Sequence, residues 1–234
     1  MISIIIPARN EEQHIVHNIK VIKDTLNLMG LDHEIVLIDD CSSDDTYLKV
    51  MNLNDIYLYR KNVQQGKGAA IKTGWKVISK SDYVVILDAD LQISPEEIKV
   101  FLNQMKHYNA DVVVGNKRHL YSSVQYSFLR KIVSNGYNIL VRVLFGVRLR
   151  DTQCGMKLFK REVLDKIMPK ILVKQYAFDL ELLVALRDNG YRIVDAPVHV
   201  KPSPGKGSVN IYSIIETFKD TLAVFWRRKR GWYK

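Results

Sequence analysis

Cysteine is nearly absent: Cys41 and Cys154 are the only two in 234 residues. Two thiols cannot build a multi-bridge scaffold. Neither has a second Cys or a His at metal-ligand spacing, so a disulfide-stapled or thiolate-zinc protein is excluded and a reducing compartment is expected. Met1-Ile2-Ser3-Ile4-Ile5-Ile6 lacks the basic region and small-residue cleavage site of an export signal and runs directly into Pro7 and Arg9. Internal repeats and low-complexity tracts are missing as well. The apolar stretch around 122–146 has only ten uncharged residues between Lys131 and Arg142, against the ~20 that a bilayer-spanning helix needs.

Acid is also missing, from two segments in particular. Residues 117–150 hold seven Lys/Arg and no acid, and residues 221–234 hold five and no acid. Elsewhere 23 basic residues face 25 acidic ones, so the whole net charge of +10 sits in these two places. Such localisation points to an anionic partner: nucleic acid, an anionic membrane or a phosphorylated substrate. Nucleic acid is disfavoured, because no helix-turn-helix, zinc or RNA-recognition motif is present and the acidic clusters described below would repel phosphates.

What is present is a 47% hydrophobic, 26% charged chain, the profile of a globular protein with a sizeable core. Short, nearly continuous β-branched runs at 2–6, 35–38, 83–87 and 112–114 predict strands buried on both faces. Ile15, Ile19, Ile22, Leu26 and Met29 recur at helical steps up to Gly30. Further helices are expected over 69–78 and 95–107, the latter with Ser94 as N-cap, Pro95 in its first turn and Glu97 closing a capping box. Alternating strand and helix give an α/β fold around a mostly parallel sheet, with helices on both faces. We expect a catalytic domain over 1–210, including the basic amphipathic stretch 117–150, and then a helix with a basic aromatic tail over 211–234. Ile215, Phe218, Leu222 and Phe225 lie on one face of that helix. Lying at a membrane interface and packing as an ordinary helix with a frayed tail account for it equally well.

In such sheets ligands bind beyond the carboxyl ends of the strands. In Asp88-Ala89-Asp90-Leu91-Gln92 an apolar strand ends in oxygen-bearing side chains at alternate positions, which share one face of an extended chain. That is how a hard cation, Mg²⁺ or Mn²⁺, is held with help from water and substrate phosphates. Asp39-Asp40 also ends a strand and would either accept hydrogen bonds from a ribose or base or simply close an Asx turn. Gly66-Lys67-Gly68-Ala69-Ala70 fails the P-loop pattern, which argues against an NTPase, yet a helix start with a lysine remains an anion contact. Asp179 and Glu181 open an apolar helix, where they would cap its dipole, bind sugar hydroxyls or serve as a base for an alcohol acceptor. The glycine-rich stretch 202–208, with Lys206, suits a loop folding over an anion.

Taken in order, Pro7-Ala8-Arg9-Asn10-Glu11-Glu12, Asp39-Asp40-Cys41-Ser42-Ser43-Asp44, Asn62 with Gly66-Lys67-Gly68-Ala69-Ala70, Asp88-Ala89-Asp90-Leu91-Gln92 and Asp151-Thr152-Gln153-Cys154-Gly155-Met156-Lys157-Leu158-Phe159 resemble glycosyltransferase family 2 over residues 1–210. Within it the chain most resembles the polyprenyl-phosphate (dolichyl-phosphate) hexose synthases, and the last string is most similar to the dolichyl-phosphate glucosyltransferase branch. The resemblance implies a GT-A fold, a UDP- or GDP-sugar donor, a Mg²⁺ or Mn²⁺ ion, and inverting transfer to a lipid phosphate on the cytoplasmic face of a membrane. It implies that Pro7, Ala8, Arg9, Glu11, Asp39, Lys67, Asp88 and Ala89 line the nucleotide. Asp88, Asp90 and Gln92 would hold the metal, with Asp88, Asp90 and Asp179 in the catalytic centre. Arg118, Arg130 and Ser134 would hold the acceptor phosphate, and Lys206 and Ser208 the donor pyrophosphate. Where the family usually reads Gly-X-Ser-Lys, Lys206-Gly207-Ser208 is followed by Val209. Many relatives carry C-terminal membrane helices, which are not seen here and which a membrane-embedded partner would supply. The alternatives are a GDP-mannose donor or a saccharide acceptor.

Overall fold

The continuous apolar runs become the middle of a seven-stranded sheet in the computed structural model of the chain. Residues 1–117, 128–146, 154–175, 177–201 and 211–234 are described, with backbone alone for 128–135, 138, 211 and 212. The strands are β1 (Ile2–Ala8), β2 (His33–Asp39), β3 (Tyr57–Arg60), β4 (Tyr83–Ile86), β5 (Val112–Asn116), β6 (Lys157–Lys160) and β7 (Ile193–Pro197), in the order β3-β2-β1-β4-β6-β5-β7. The helices are α1 (Ile15–Leu28), α2 (Thr46–Val50), α3 (Lys67–Val77), α4 (Glu97–His107), α5 (Phe128–Phe145), α6 (Arg161–Ile167), α7 (Phe178–Asp188) and α8 (Ile211–Lys229). Ile4, Ile5, Ile6, Val36, Leu37, Ile38, Val84, Val85 and Ile86 are fully buried, as strands covered on both faces must be, each large side chain contributing roughly 1.5–3 kcal/mol.

All four expected strands are present, and the fold is the expected α/β class. The three unforeseen strands are short and carry charge. β3 and β7 are the two sheet edges, and β7 ends in Pro197, which an edge tolerates. β6 runs antiparallel to both β4 and β5, so the other six strands share one direction. Their carboxyl ends therefore meet the start of β6 at a single edge.

Two helix starts differ from expectation. α4 begins at Glu97 without a side-chain cap; the Glu97 carboxylate instead accepts a hydrogen bond from the His199 amide at 3.2 Å, so the Ser94 capping box does not form. α3 begins at Lys67 rather than 69, because Asp40 takes the amides of Gln65 (3.0 Å) and Gly66 (2.6 Å) and Gly66 adopts φ 98°, a left-handed conformation that glycine accepts without strain.

α8 does not fray. Its buried side is formed by Thr221 and Val224, with Tyr137 of α5 hydrogen-bonded to Thr221 at 3.1 Å. Arg228 forks onto Asp188 of α7 at 2.9–3.0 Å, and Tyr233 is fully buried. The apolar side chains Ile214, Ile215, Phe218 and Trp226 stay exposed, as do Ile139 and Val143 of α5. Among the described residues no helix is long and apolar enough to cross a membrane.

Candidate active site

Each loop at the reactive edge is fixed by the next. Ala8 ends β1, and its carbonyl accepts the Asp40 amide at 2.9 Å. Asn10, left-handed at φ 54°, accepts the Ser43 amide at 2.9 Å, while the Glu11 amide donates to the Thr46 hydroxyl at 2.8 Å. The segment carrying Pro7, Ala8, Arg9 and Glu11 is thereby stitched to the loop after β2, with the Arg9 side chain left exposed. Asp39 is completely buried; it accepts the Ser42 amide (3.2 Å) and hydroxyl and faces Arg60 at 3.3 Å. The turn expected after β2 thus forms, closed onto the residue three positions on rather than at the two-residue spacing of an Asx turn. Its neighbour Asp40, besides holding Gly66, pairs with Lys61 at 3.0 Å.

The acidic turn follows β4. Asp88 Oδ1 meets Lys67 Nζ at 2.5 Å. The β4–β6 register, which pairs Ile86 with Lys157, sets Asp88 opposite Gly155, where a Cβ would collide with the Asp88 carboxylate. Ala89 is buried, and its carbonyl accepts the Asn18 amide of α1 at 2.8 Å. Leu91 adopts φ 46°, which turns the chain so that Gln92 Nε2 donates to Asp90 Oδ2 at 2.7 Å. Asp88, Asp90 and Gln92 line one pocket with Gly155 and with Lys117, just past β5. Burial alone would lower the Lys67 ammonium, but the carboxylates of Asp88 and then Asp179 outweigh it and hold the group above the ordinary lysine value.

Behind this pocket lies a second pair. Lys157 is fully buried, pairs with Asp179 at 2.8 Å and donates to the Cys154 carbonyl at 2.5 Å. Glu181, one helical turn away from the start of α7, is likewise buried and hydrogen-bonded. Asp179 is therefore engaged with a cation rather than open to solvent.

The oxygen donors fit a hard dication. Asp90 and Gln92 offer a carboxylate and an amide oxygen to an open pocket beside Asp88, and among the described residues no three His, Cys, Asp or Glu form a closed cage. A site with few protein carboxylates that leaves places for water and substrate phosphate is the usual arrangement for Mg²⁺-like ions.

Arg118, Lys206 and Ser208 lie outside the described residues, as do the side chains of Arg130 and Ser134. Sequence reasoning passed over Lys117, which it read only as one cation of a basic stretch, and Asp40 as a hold on Gly66. It also missed Asn18, although a polar residue on the buried Ile15–Ile19–Ile22 side of α1 was a readable signal.

Strands presenting acidic turns and a lysine-bearing helix start at one edge of a mostly parallel sheet define a GT-A type nucleotide-sugar transferase fold. Solved structures of glucosyl-3-phosphoglycerate synthase from Mycobacterium tuberculosis share it. One is in complex with UDP, with a TM-score of 0.70 and 19% identity over 97% of this chain and 79% of that one. Another, in complex with Mn²⁺, UDP and glucosyl-3-phosphoglycerate, gives the same TM-score, identity and coverage. The glycosyl transferase family 2 model matches residues 3–168, and the chain belongs to that family. Relatives matched over nearly the whole of this chain include a dolichyl-phosphate beta-glucosyltransferase of Dictyostelium discoideum, 28% identical over 100% of this chain and 76% of the relative. Dolichyl-phosphate beta-glucosyltransferase ALG5A of Trichomonas vaginalis is 32% identical over 97% and 74%.

Proposed function

We propose that the chain transfers a hexose, glucose from UDP-glucose, to a polyprenyl or dolichyl phosphate at the cytoplasmic face of a membrane. An oxygen of the acceptor phosphate attacks the anomeric carbon. The bond from that carbon to the donor diphosphate breaks with inversion, and the nucleoside diphosphate leaves with the electron pair. The acceptor is already anionic at neutral pH, so the protein's task is to orient two phosphate-bearing molecules against mutual repulsion. No side chain has to remove a proton.

The observation that carries this reading is the pocket after β4, where Asp88, Asp90 and Gln92 face Lys117 and where Lys67 pairs with Asp88. In it Asp90 and Gln92, with Asp88, hold Mg²⁺ or Mn²⁺, which when bound offsets the charge growing on the departing diphosphate. Pro7, Ala8, Arg9, Glu11, Asp39 and Ala89 line the nucleoside, and Lys67 exchanges Asp88 for donor phosphate. Lys117 joins Arg118, Arg130 and Ser134 around the acceptor phosphate, and Lys206 and Ser208 face the donor pyrophosphate. Asp179 lies on the sugar side and keeps Lys157 in place. The exposed apolar side chains of α5 and α8, together with the exposed Lys229 and Arg230 at the end of α8, support attachment to an anionic membrane, and the names of the relatives support the lipid phosphate and the sugar.

The test is a screen of radiolabelled UDP- and GDP-sugars with liposomes that contain or lack polyprenyl phosphate. Lipid-extractable label is expected from UDP-glucose, only with the lipid phosphate and only with the dication. Label transfer that ignores the lipid phosphate overturns the acceptor, and preference for a GDP-sugar overturns the donor.

A further inference from the structure

Glu181 is completely buried on α7 and uses both carboxylate oxygens. Oε2 accepts the amides of Leu172 (2.8 Å) and Val173 (2.6 Å). Oε1 accepts the Tyr233 hydroxyl at 2.6 Å and faces Arg227 at 2.8 Å. A buried carboxylate with four partners is costly to disturb, because each partner removed leaves charge without compensation.

The two sides of Glu181 lead to different places. On one, Arg227 and Tyr233 belong to the end of α8 and the turn after it; the Tyr233 carbonyl is held by Lys170 at 2.8 Å, and the Trp232 indole donates to the Lys170 carbonyl at 3.0 Å. On the other, the segment 171–175 braces the start of α3. The Lys174 carbonyl accepts the Ala69 amide at 3.0 Å, and Lys72 Nζ donates to the Ile171 carbonyl at 2.6 Å. Contact there is so close that a Cβ at Gly66 would lie 2.9 Å from the Lys174 carbonyl and one at Gly68 would strike the Phe178 ring. Between those glycines stands Lys67.

We propose that Glu181 is a positioning residue for the nucleotide-sugar site: with Tyr233 and Arg227 it fixes the 171–175 segment that sets where the α3 start presents Lys67. This rests on the reading that Lys67 contacts donor phosphate. Glu181 touches no reacting atom. It makes the turn after α8 part of the donor site's support.

Calorimetric titration of the full chain with UDP in the presence of MnCl₂ tests this. Lys67→Met is expected to weaken UDP binding about tenfold or more. Tyr233→Phe, which keeps the ring and removes only the hydroxyl, is expected to weaken it roughly 3- to 10-fold, and Glu181→Gln at least as much. A purely structural role would lower the melting temperature and leave UDP affinity of the folded protein unchanged. An effect on UDP that does not pass through Lys67 would make the losses multiply, whereas Lys67→Met with Tyr233→Phe is expected to bind no more weakly than Lys67→Met alone. Unchanged affinity in Tyr233→Phe, or multiplied losses in the double variant, overturns the inference alone. Absence of UDP and GDP binding by the wild-type chain, or unchanged binding by Lys67→Met, overturns the donor-site reading and this inference with it.

Discussion

The Lys67–Asp88 pair stands in front of the sheet with both side chains more than a third exposed, whereas in the Lys157–Asp179 pair behind it the lysine is fully buried and the aspartate nearly so. Both join one lysine to one aspartate at a similar distance, but the solvent differs. A half-buried pair that keeps more than a third of each side chain in water lies near the ~0–1 kcal/mol of a surface pair, so its members can be parted by a ligand with little consequence for the fold. A buried pair that loses one member leaves a charge stranded, at about 3–5 kcal/mol. The front pair can be parted at little cost to the fold and the back pair cannot.

The largest effect expected from this contrast is in the back pair. Lys157→Met should lower unfolding stability by about 3–5 kcal/mol in urea titrations, and adding Asp179→Leu should recover most of it, since a matched apolar pair replaces a buried ion pair at little cost. A single-variant loss under about 1 kcal/mol would make the two pairs equivalent. In front, Asp90→Ala should cut kcat/KM on the order of 100-fold while stability stays within about 0.5 kcal/mol; near-normal turnover would remove Asp90 from the metal site.

Gly155→Ala joins the two regions, because its Cβ would push on the Asp88 carboxylate from behind. A loss of kcat/KM on the order of tenfold is expected, as displaced reacting groups lose rate steeply, with Lys157 pairing intact and stability little changed. A large stability loss without that drop would mean that Gly155 serves packing only.

The smallest effect is a titration. Burial, then the hydrogen bond to Glu181, holds the Tyr233 phenol above its ordinary value. The neutral phenol makes that bond, so its stabilisation is complete below the unfolded value of about 10 and is lost only as pH rises through the higher folded one. Ultraviolet titration of wild type against Tyr233→Phe should give coincident curves through the range where exposed tyrosines ionise. An ordinary phenol in the difference curve would show that the turn after α8 is open.

Legibility followed the same division. β1, β2, β4 and β5 and the acidic turn are readable because burial on both faces leaves uninterrupted β-branched runs, and turn chemistry must follow them. β6 was hidden by its lysines at both ends, one of which is fully buried only because Asp179, far away in sequence, neutralises it. Asp39 reads as either a ribose contact or a turn former, and the structure shows it closing the turn onto Ser42 at the end of β2. Asp179 reads as a dipole-capping, sugar-binding or general-base group and not as half of an ion pair, because neither spacing nor periodicity reveals a buried cation brought by another strand. One of the two readings of the C-terminal segment has its basic end frayed, yet Arg227 and Arg228, still within α8, neutralise Glu181 and Asp188. Part of its positive charge is thus spent inside the molecule, leaving Lys229, Arg230 and Lys234 to face outward.

The reversed direction of β6 has a mechanical side. Because its beginning and not its end reaches the carboxyl edge of the other strands, the chain leaving α5 must arrive there within the eleven residues 146–156, a reach of at most ~40 Å. α5 is therefore leashed to the pocket that holds Asp88. Anything that draws this helix toward a surface also limits how far that pocket can stand from the same surface.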